Sequence, residues 1–288
     1  VKRAGWLGLT IAAIALWGVY GIAFKRASDH LSAVAGQLLS TAGLLLPALF
    51  LIGSVSRERR STGGLFIGFV SGLCGALGNF ALLGALREGG KAAIIFPLTG
   101  LYPLITVIVA VLFMRERARR VQVIGIVFAI VAVLLLSVDL SASYARIELQ
   151  FSNSLLYAFG ALIAFGLAAV FQKLATNRVS AETAFATFAA GFIPPTLLLL
   201  VIEPLASTPA LTPTLWALAG GLLNGLGVLA TLAAYRRGGK ASVVTPLAAI
   251  YPMVTVILAV AFLGERLLPI QVAGIALALL GGVLLSRE

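Results

Sequence analysis

Residues 89–117 read GGKAAIIFPLTGLYPLITVIVAVLFMRER, and residues 238–266 read GGKASVVTPLAAIYPMVTVILAVAFLGER. Each stretch opens on a lysine, runs through an apolar segment that holds two prolines, and closes on a Glu-Arg pair. Lys91, Pro97, Tyr102, Pro103, Glu116, Arg117, Gln122 and Gly125 recur as Lys240, Pro246, Tyr251, Pro252, Glu265, Arg266, Gln271 and Gly274, at a constant offset of 149 residues. Upstream, WGVYGIAFK (Trp17–Lys25) is echoed by FGLAAVFQK (Phe165–Lys173) at an offset of 148. Shared greasiness does not keep Lys, Pro, Tyr-Pro and Glu-Arg in register, so the chain is two homologous halves.

Composition sets the class. Of 288 residues, 60% are hydrophobic and 11% charged, with a mean hydropathy of +1.08. Such a chain cannot clothe a soluble domain. Apolar runs of the ~20 residues needed to cross a hydrocarbon core recur along its length. Ten spans are expected, near 5–24, 32–54, 64–86, 92–113, 121–138, 154–173, 183–202, 214–235, 241–262 and 269–286. The breaks between them carry charge, Gly, Pro or small polar residues, as loops do. The expected architecture is an all-α polytopic membrane protein: an N-terminal five-helix repeat over 1–138, an external link over 139–153, and a C-terminal five-helix repeat over 154–288. Five is odd, so the second repeat enters the membrane upside down. In transporters built from inverted repeats, the site lies near the midplane between the halves.

The net charge of +11 does not point to nucleic acid, because the basic residues sit in short loops where they orient the spans. The side that holds the N-terminus carries 15 of the 21 lysines and arginines, leaving 6 on the other. That places both termini in the cytoplasm, as in a bacterial-type inner membrane protein. The first apolar run follows Lys2 and Arg3 but spans about 20 residues and carries Trp17 and Tyr20, which reads as an uncleaved helix rather than a leader. Cys74 is the only cysteine, so no internal disulfide forms, and no metal or redox motif is present.

These features resemble the drug/metabolite transporter superfamily, and within it the ten-helix EamA family. The duplicated five-helix unit, the Pro-containing fourth and ninth spans, and the Glu116-Arg117 and Glu265-Arg266 ends carry the resemblance over essentially the whole chain. It implies a basket of helices around a central cavity, with the fifth helix of each half outside. In layout the sequence is also similar to the aromatic amino-acid exporters of that family.

Acids cluster at span ends or in loops, and the single histidine, His30, lies in a loop. An enzyme needs an acid, base, nucleophile or ligand cluster inside, so none is expected, nor any cofactor. Buried ionisable groups mark ion paths because they are costly; their absence favours a neutral or zwitterionic small-molecule substrate and transport without obligatory mid-membrane protonation.

Polar and aromatic residues within the spans supply the candidate site. Lys91, Ile95, Thr99, Tyr102 and Thr106 share one helical face by their spacing, as do Lys240, Val244, Ala248, Tyr251 and Thr255. Tyr102 and Tyr251 either line a wet cavity or bond a neighbouring helix. Asn79 and Asn224, each among glycines, are interhelical glue or ligand contacts. Trp17 and Phe165 are apolar walls or plain packing; Gln37 and Gln172 lie nearer span ends. Pro97, Pro103, Pro246 and Pro252 kink their helices, as hinges or as fixed bends. Lys91 and Lys240 snorkel to lipid phosphates or sit at the cavity mouth. The functional expectation is export of small amphipathic metabolites, amino acids foremost, by alternating access. Efflux of drug-like or toxic solutes is the alternative, and a non-transporting membrane scaffold a further one.

Overall fold

The computed structural model describes residues 5–51, 61–113, 119–136, 138–139, 148–149, 152–205, 209–239, 244 and 247–285. Lys240, Pro246, Glu116 and Arg117 lie outside them. Helices are α1 (Gly5–Ser28), α2 (Ala33–Leu51), α3 (Thr62–Arg87), α4 (Ala92–Thr99), α5 (Pro103–Phe113), α6 (Arg120–Leu136), α7 (Asn153–Thr176), α8 (Ala181–Gly191), α9 (Ile193–Ile202), α10 (Leu211–Arg236), α11 (Tyr251–Leu263) and α12 (Pro269–Leu285). The α4–α5 and α8–α9 pairs are each one broken span. Among the described residues, seven segments are long and apolar enough to cross a membrane, and three shorter apolar helices, α6, α11 and α12, accompany them. The only extended structure among the described residues is a two-residue antiparallel ladder, Val138↔Leu149 and Asp139↔Glu148, in the link between the halves.

Large apolar side chains stand bare on the outside: Phe50 is 87% exposed and Val201 78%. A soluble monomer does not tolerate so extensive an apolar surface; lipid does. The protein is a polytopic membrane protein, as the composition requires.

The halves are interleaved rather than set side by side. α1 and α2 of the first half pack chiefly on α10 of the second, and α7 and α8 of the second pack on α3 of the first. Glycines make this possible. A Cβ on Gly221 would strike the Ser40 carbonyl oxygen, and one on Gly72 would strike that of Phe188. Likewise Gly43 sits against the Leu218 carbonyl and Gly191 against that of Phe69. Each contact has its mate under the repeat offset, so the two halves are related by a pseudo-two-fold axis. The fifth spans, α6 and α12, pair at the edge, where Gly125 meets Leu285 and Gly274 meets Leu136.

Both broken spans that carry the Tyr-Pro pair part at equivalent places. Pro103 and Pro252 lack an N–H, so the chain tightens around them into i→i+3 bonds. Tyr102 N–H donates to the Thr99 carbonyl at 3.1 Å and Leu104 N–H to that of Leu101 at 2.8 Å. In the second half Ile250 N–H donates to Leu247 at 3.1 Å and Met253 N–H to Ile250 at 2.9 Å. Pro97, by contrast, sits inside α4 without interrupting it. A further break, which the apolar pattern hides, divides the seventh span at Phe192, just before Pro194 and Pro195.

Candidate functional site

The two Tyr-Pro spans cross where they break: a Cβ on Gly100 would lie 2.9 Å from the Pro252 ring. That crossing gathers the aromatic candidates. Trp17 packs on Tyr251 with ring centroids 5.6 Å apart at 60°. Thr99 and Tyr102 both lie within electrostatic reach of the Tyr251 hydroxyl. Trp17 is admitted by Gly227, where any side chain would collide with the indole. Under the repeat, Phe165 takes the Trp17 position and is admitted in the same way by Gly78. Trp17, Tyr102 and Tyr251 are thus brought together. Phe165 joins the edge of the core cluster that Tyr251 also borders.

Asn79 stands beside this group in a buried polar chain. Tyr20 stacks edge-on against Phe96, with centroids 5.6 Å apart, and its hydroxyl points at Asn79 Oδ1, 3.4 Å away. Asn79 Nδ2 donates to Gln37 Oε1 at 2.6 Å and to Ser40 Oγ at 3.1 Å. Gln37 Nε2 in turn donates to Thr41 Oγ1 at 3.3 Å and Thr196 Oγ1 at 3.2 Å. The two threonine hydroxyls are 3.0 Å apart. Gln37 is wholly buried and Asn79 2% exposed. The chain links α1, α2 and α3 to α9, which belongs to the other half. Sequence reading left Gln37 as a group near a span end and did not single out Ser40, Thr41 or Thr196. The missed signal was their i, i+3, i+4 spacing, which puts Gln37, Ser40 and Thr41 on one face of α2.

Asn224 is half-buried on α10, one residue before the Gly225 that packs on Leu44 and Pro47. Among the described residues no hydrogen bond engages its amide. Nearby, a cavity of about 540 Å³ opens between the ends of α2 and α10 and the start of α8. Leu51, Leu229 and Leu232 form its apolar wall, with Glu182 and Arg237 on it as opposite charges. Its apolar wall is continuous with a packed cluster of Leu44, Phe185, Phe188 and Val228, which Trp17 also borders. The face where it opens also holds the start of α1, since Gly5 abuts Arg237.

Lys91 lies on the opposite face. Its ammonium donates to the Arg266 carbonyl at 2.7 Å. The dipole of the helix it precedes is met instead by Glu265, whose two carboxylate oxygens accept the Ala92 and Ala93 N–H groups at 2.8 Å each. Among the described residues, no group of three His, Cys, Asp or Glu side chains is placed to hold a metal ion.

Comparison with known proteins fits this arrangement. The profile of the EamA-like transporter family matches twice, over residues 4–138 and 152–287. An uncharacterized protein of Methanocaldococcus jannaschii is 39% identical over 70 residues, which make up 24% of this chain and 50% of that protein. The match therefore spans only half the length of that relative. A protein of known crystal structure superposes over 99% of this chain and 96% of its own, with a TM-score of 0.65 at 19% identity. At that identity the likeness speaks for the fold alone.

Proposed function

We propose, from the premise that the chain belongs to the EamA-like transporter family and is a multi-pass membrane transporter of small solutes, that it exports amphipathic, neutral or zwitterionic metabolites, amino acids foremost, by alternating access. The observation that carries this reading is the Trp17–Tyr251 pair, with Thr99 and Tyr102, at the crossing of the two broken spans. It offers ring faces and hydroxyls without a formal charge. An aromatic or aliphatic side chain finds apolar surface there, and a polar backbone finds hydroxyl and amide groups, Asn224 among them. The cavity adds an apolar wall with one acid and one base, Glu182 and Arg237, a pairing that suits a zwitterion on its way in.

Interleaving sets which bodies move. α1, α2 and α10 form one packed unit and α7, α8 and α3 the other, so rocking occurs between bundles drawn from both halves, not between the sequence halves themselves. The 15 to 6 bias of basic residues supports an inner-membrane orientation with both termini in the cytoplasm. The cavity then faces the cytoplasm, where an exporter loads. A five-helix repeat over 1–138 and another over 154–288 remain the division we favour.

Counterflow in proteoliposomes, screened against amino acids, nucleosides, sugars and cationic drugs, tests the reading. Exchange of amino acids with no ion gradient is the expected result. The apolar wall of Leu51, Leu229 and Leu232 favours one second reading, efflux of drug-like solutes. Counterflow of cationic drugs without amino-acid exchange would decide for it.

A further inference from the structure

We propose that Glu265 is a latch that holds the face bearing Lys91 closed, and that its release is required before the crossed spans part there. The inference rests on the alternating-access reading above. α4 starts with orphan N–H donors, as every helix does, and Lys91 at its N-cap provides no side-chain cap. The missing acceptor arrives from the other half of the chain, 173 positions away: both Glu265 oxygens close on Ala92 and Ala93. A carboxylate at the positive end of a helix makes charge-assisted bonds. Its placement is built in. Gly264 ends α11 in the left-handed conformation, φ +66°, and turns the chain so that Glu265 N–H caps the Ala259 carbonyl at 3.3 Å. Only glycine takes that conformation freely.

A second bond fastens the same seam: Lys91 donates to the Arg266 carbonyl at 2.7 Å. Both contacts tie the end of the α11 span to α4, while Arg26, at the end of α1, holds α11 to its own packed unit through the Phe262 carbonyl at 3.1 Å. At the opposite face, between Leu51, Ala181 and Arg237, the protein is open by a cavity of about 540 Å³. Among the described residues, one face is held by these contacts and the cavity lies at the other, as in a single access state. The contacts that hold it are few, discrete and made between bodies that must separate, so they set how much of the protein occupies that state.

Spin labels at Glu88→Cys and Arg266→Cys, both exposed on the latched face, in a full-length Cys74→Ser background in nanodiscs, report the gap by electron–electron distance. Glu265→Ala should move the ratio of long to short distances by about tenfold or more, the scale of losing hydrogen bonds to a charged group. Glu265→Gln, which keeps one acceptor, should move it less. If Glu265→Ala does not yield a monodisperse protein, the Gln variant carries the test. A distance distribution unchanged from the parent in folded protein overturns the latch, even if the melting temperature falls. The readout needs no substrate. A distance shift alongside failed counterflow upholds the latch and refutes the transport reading alone; counterflow with unmoved distances does the reverse.

Discussion

Asn79→Ala should cost the fold about 2–4 kcal/mol. Two firm bonds disappear, those from Nδ2 to Gln37 at 2.6 Å and to Ser40 at 3.1 Å; the 3.4 Å approach of Tyr20 is too long to count for much. A typical bond contributes about 1 kcal/mol net, and an acceptor left unpaired in a buried site costs roughly 1–3 kcal/mol more. Here the orphan is Gln37 Oε1, in a residue with no solvent exposure. Interhelical hydrogen bonds in membrane proteins average only about 0.6 kcal/mol, because the unfolded reference finds other partners. Two such bonds would give little more than ~1 kcal/mol, so the orphan makes the difference. Reversible unfolding in mixed micelles, run as a double-mutant cycle with Gln37→Leu, measures it. The expected coupling is about 1–2 kcal/mol, as for residues in one network. An Asn79→Ala cost below ~1 kcal/mol with coupling under ~0.5 kcal/mol would refute the structural role. Loss of counterflow in that stable protein would make Asn79 a ligand contact instead.

Gly221→Ala and Gly72→Ala each press a Cβ onto a backbone carbonyl of a facing helix and should destabilise by about 1–3 kcal/mol or more, whereas Gly8→Ala, with nothing within 4 Å, should be neutral in the same unfolding assay. Trp17→Ala removes the 5.6 Å contact with Tyr251, worth about 0.5–1.5 kcal/mol beyond burial; counterflow should need several-fold higher substrate, and unchanged half-saturation would remove Trp17 from the site. A reporter that is active only in the cytoplasm, fused after Glu288, should be active, and activity from the periplasmic counterpart instead would invert the orientation.

Most of the fold was legible because it rests on long-period signals. Ten apolar runs and a 149-residue repeat need no knowledge of contacts, and the spans fall within a few residues of where the helices lie, except the ninth, whose first part lies outside the described residues. The break at Phe192 was not legible. Pro194 and Pro195 occupy the first turn of α9, where proline is tolerated, so a continuous apolar span and two abutting helices look alike in sequence. Nor was Glu265 legible as a cap. Its partners, Ala92 and Ala93, contribute backbone N–H groups, which have no sequence signature, and they come from the other half. The repeat did carry a clue, since each Lys that opens a span has its Glu-Arg pair in the same register.

The buried polar chain sits where the repeat fails. Gln37, Ser40, Thr41 and Asn79 have Phe185, Phe188, Ala189 and Val228 as their counterparts at offsets of 148 and 149. One half therefore builds a hydrogen-bonded chain at the place where the other builds an apolar cluster. Two identical halves would make the two access states equal in energy, since each half would simply take the other's conformation. On the alternating-access reading, with one interface polar and its mate aromatic, exchanging conformations would strain different contacts and the states would differ. The same substitution of chemistry gives the protein's interior a polar flank and an apolar flank. Comparison of the repeats thus separates the glycine contacts that both halves share from the polar chain that only one of them carries.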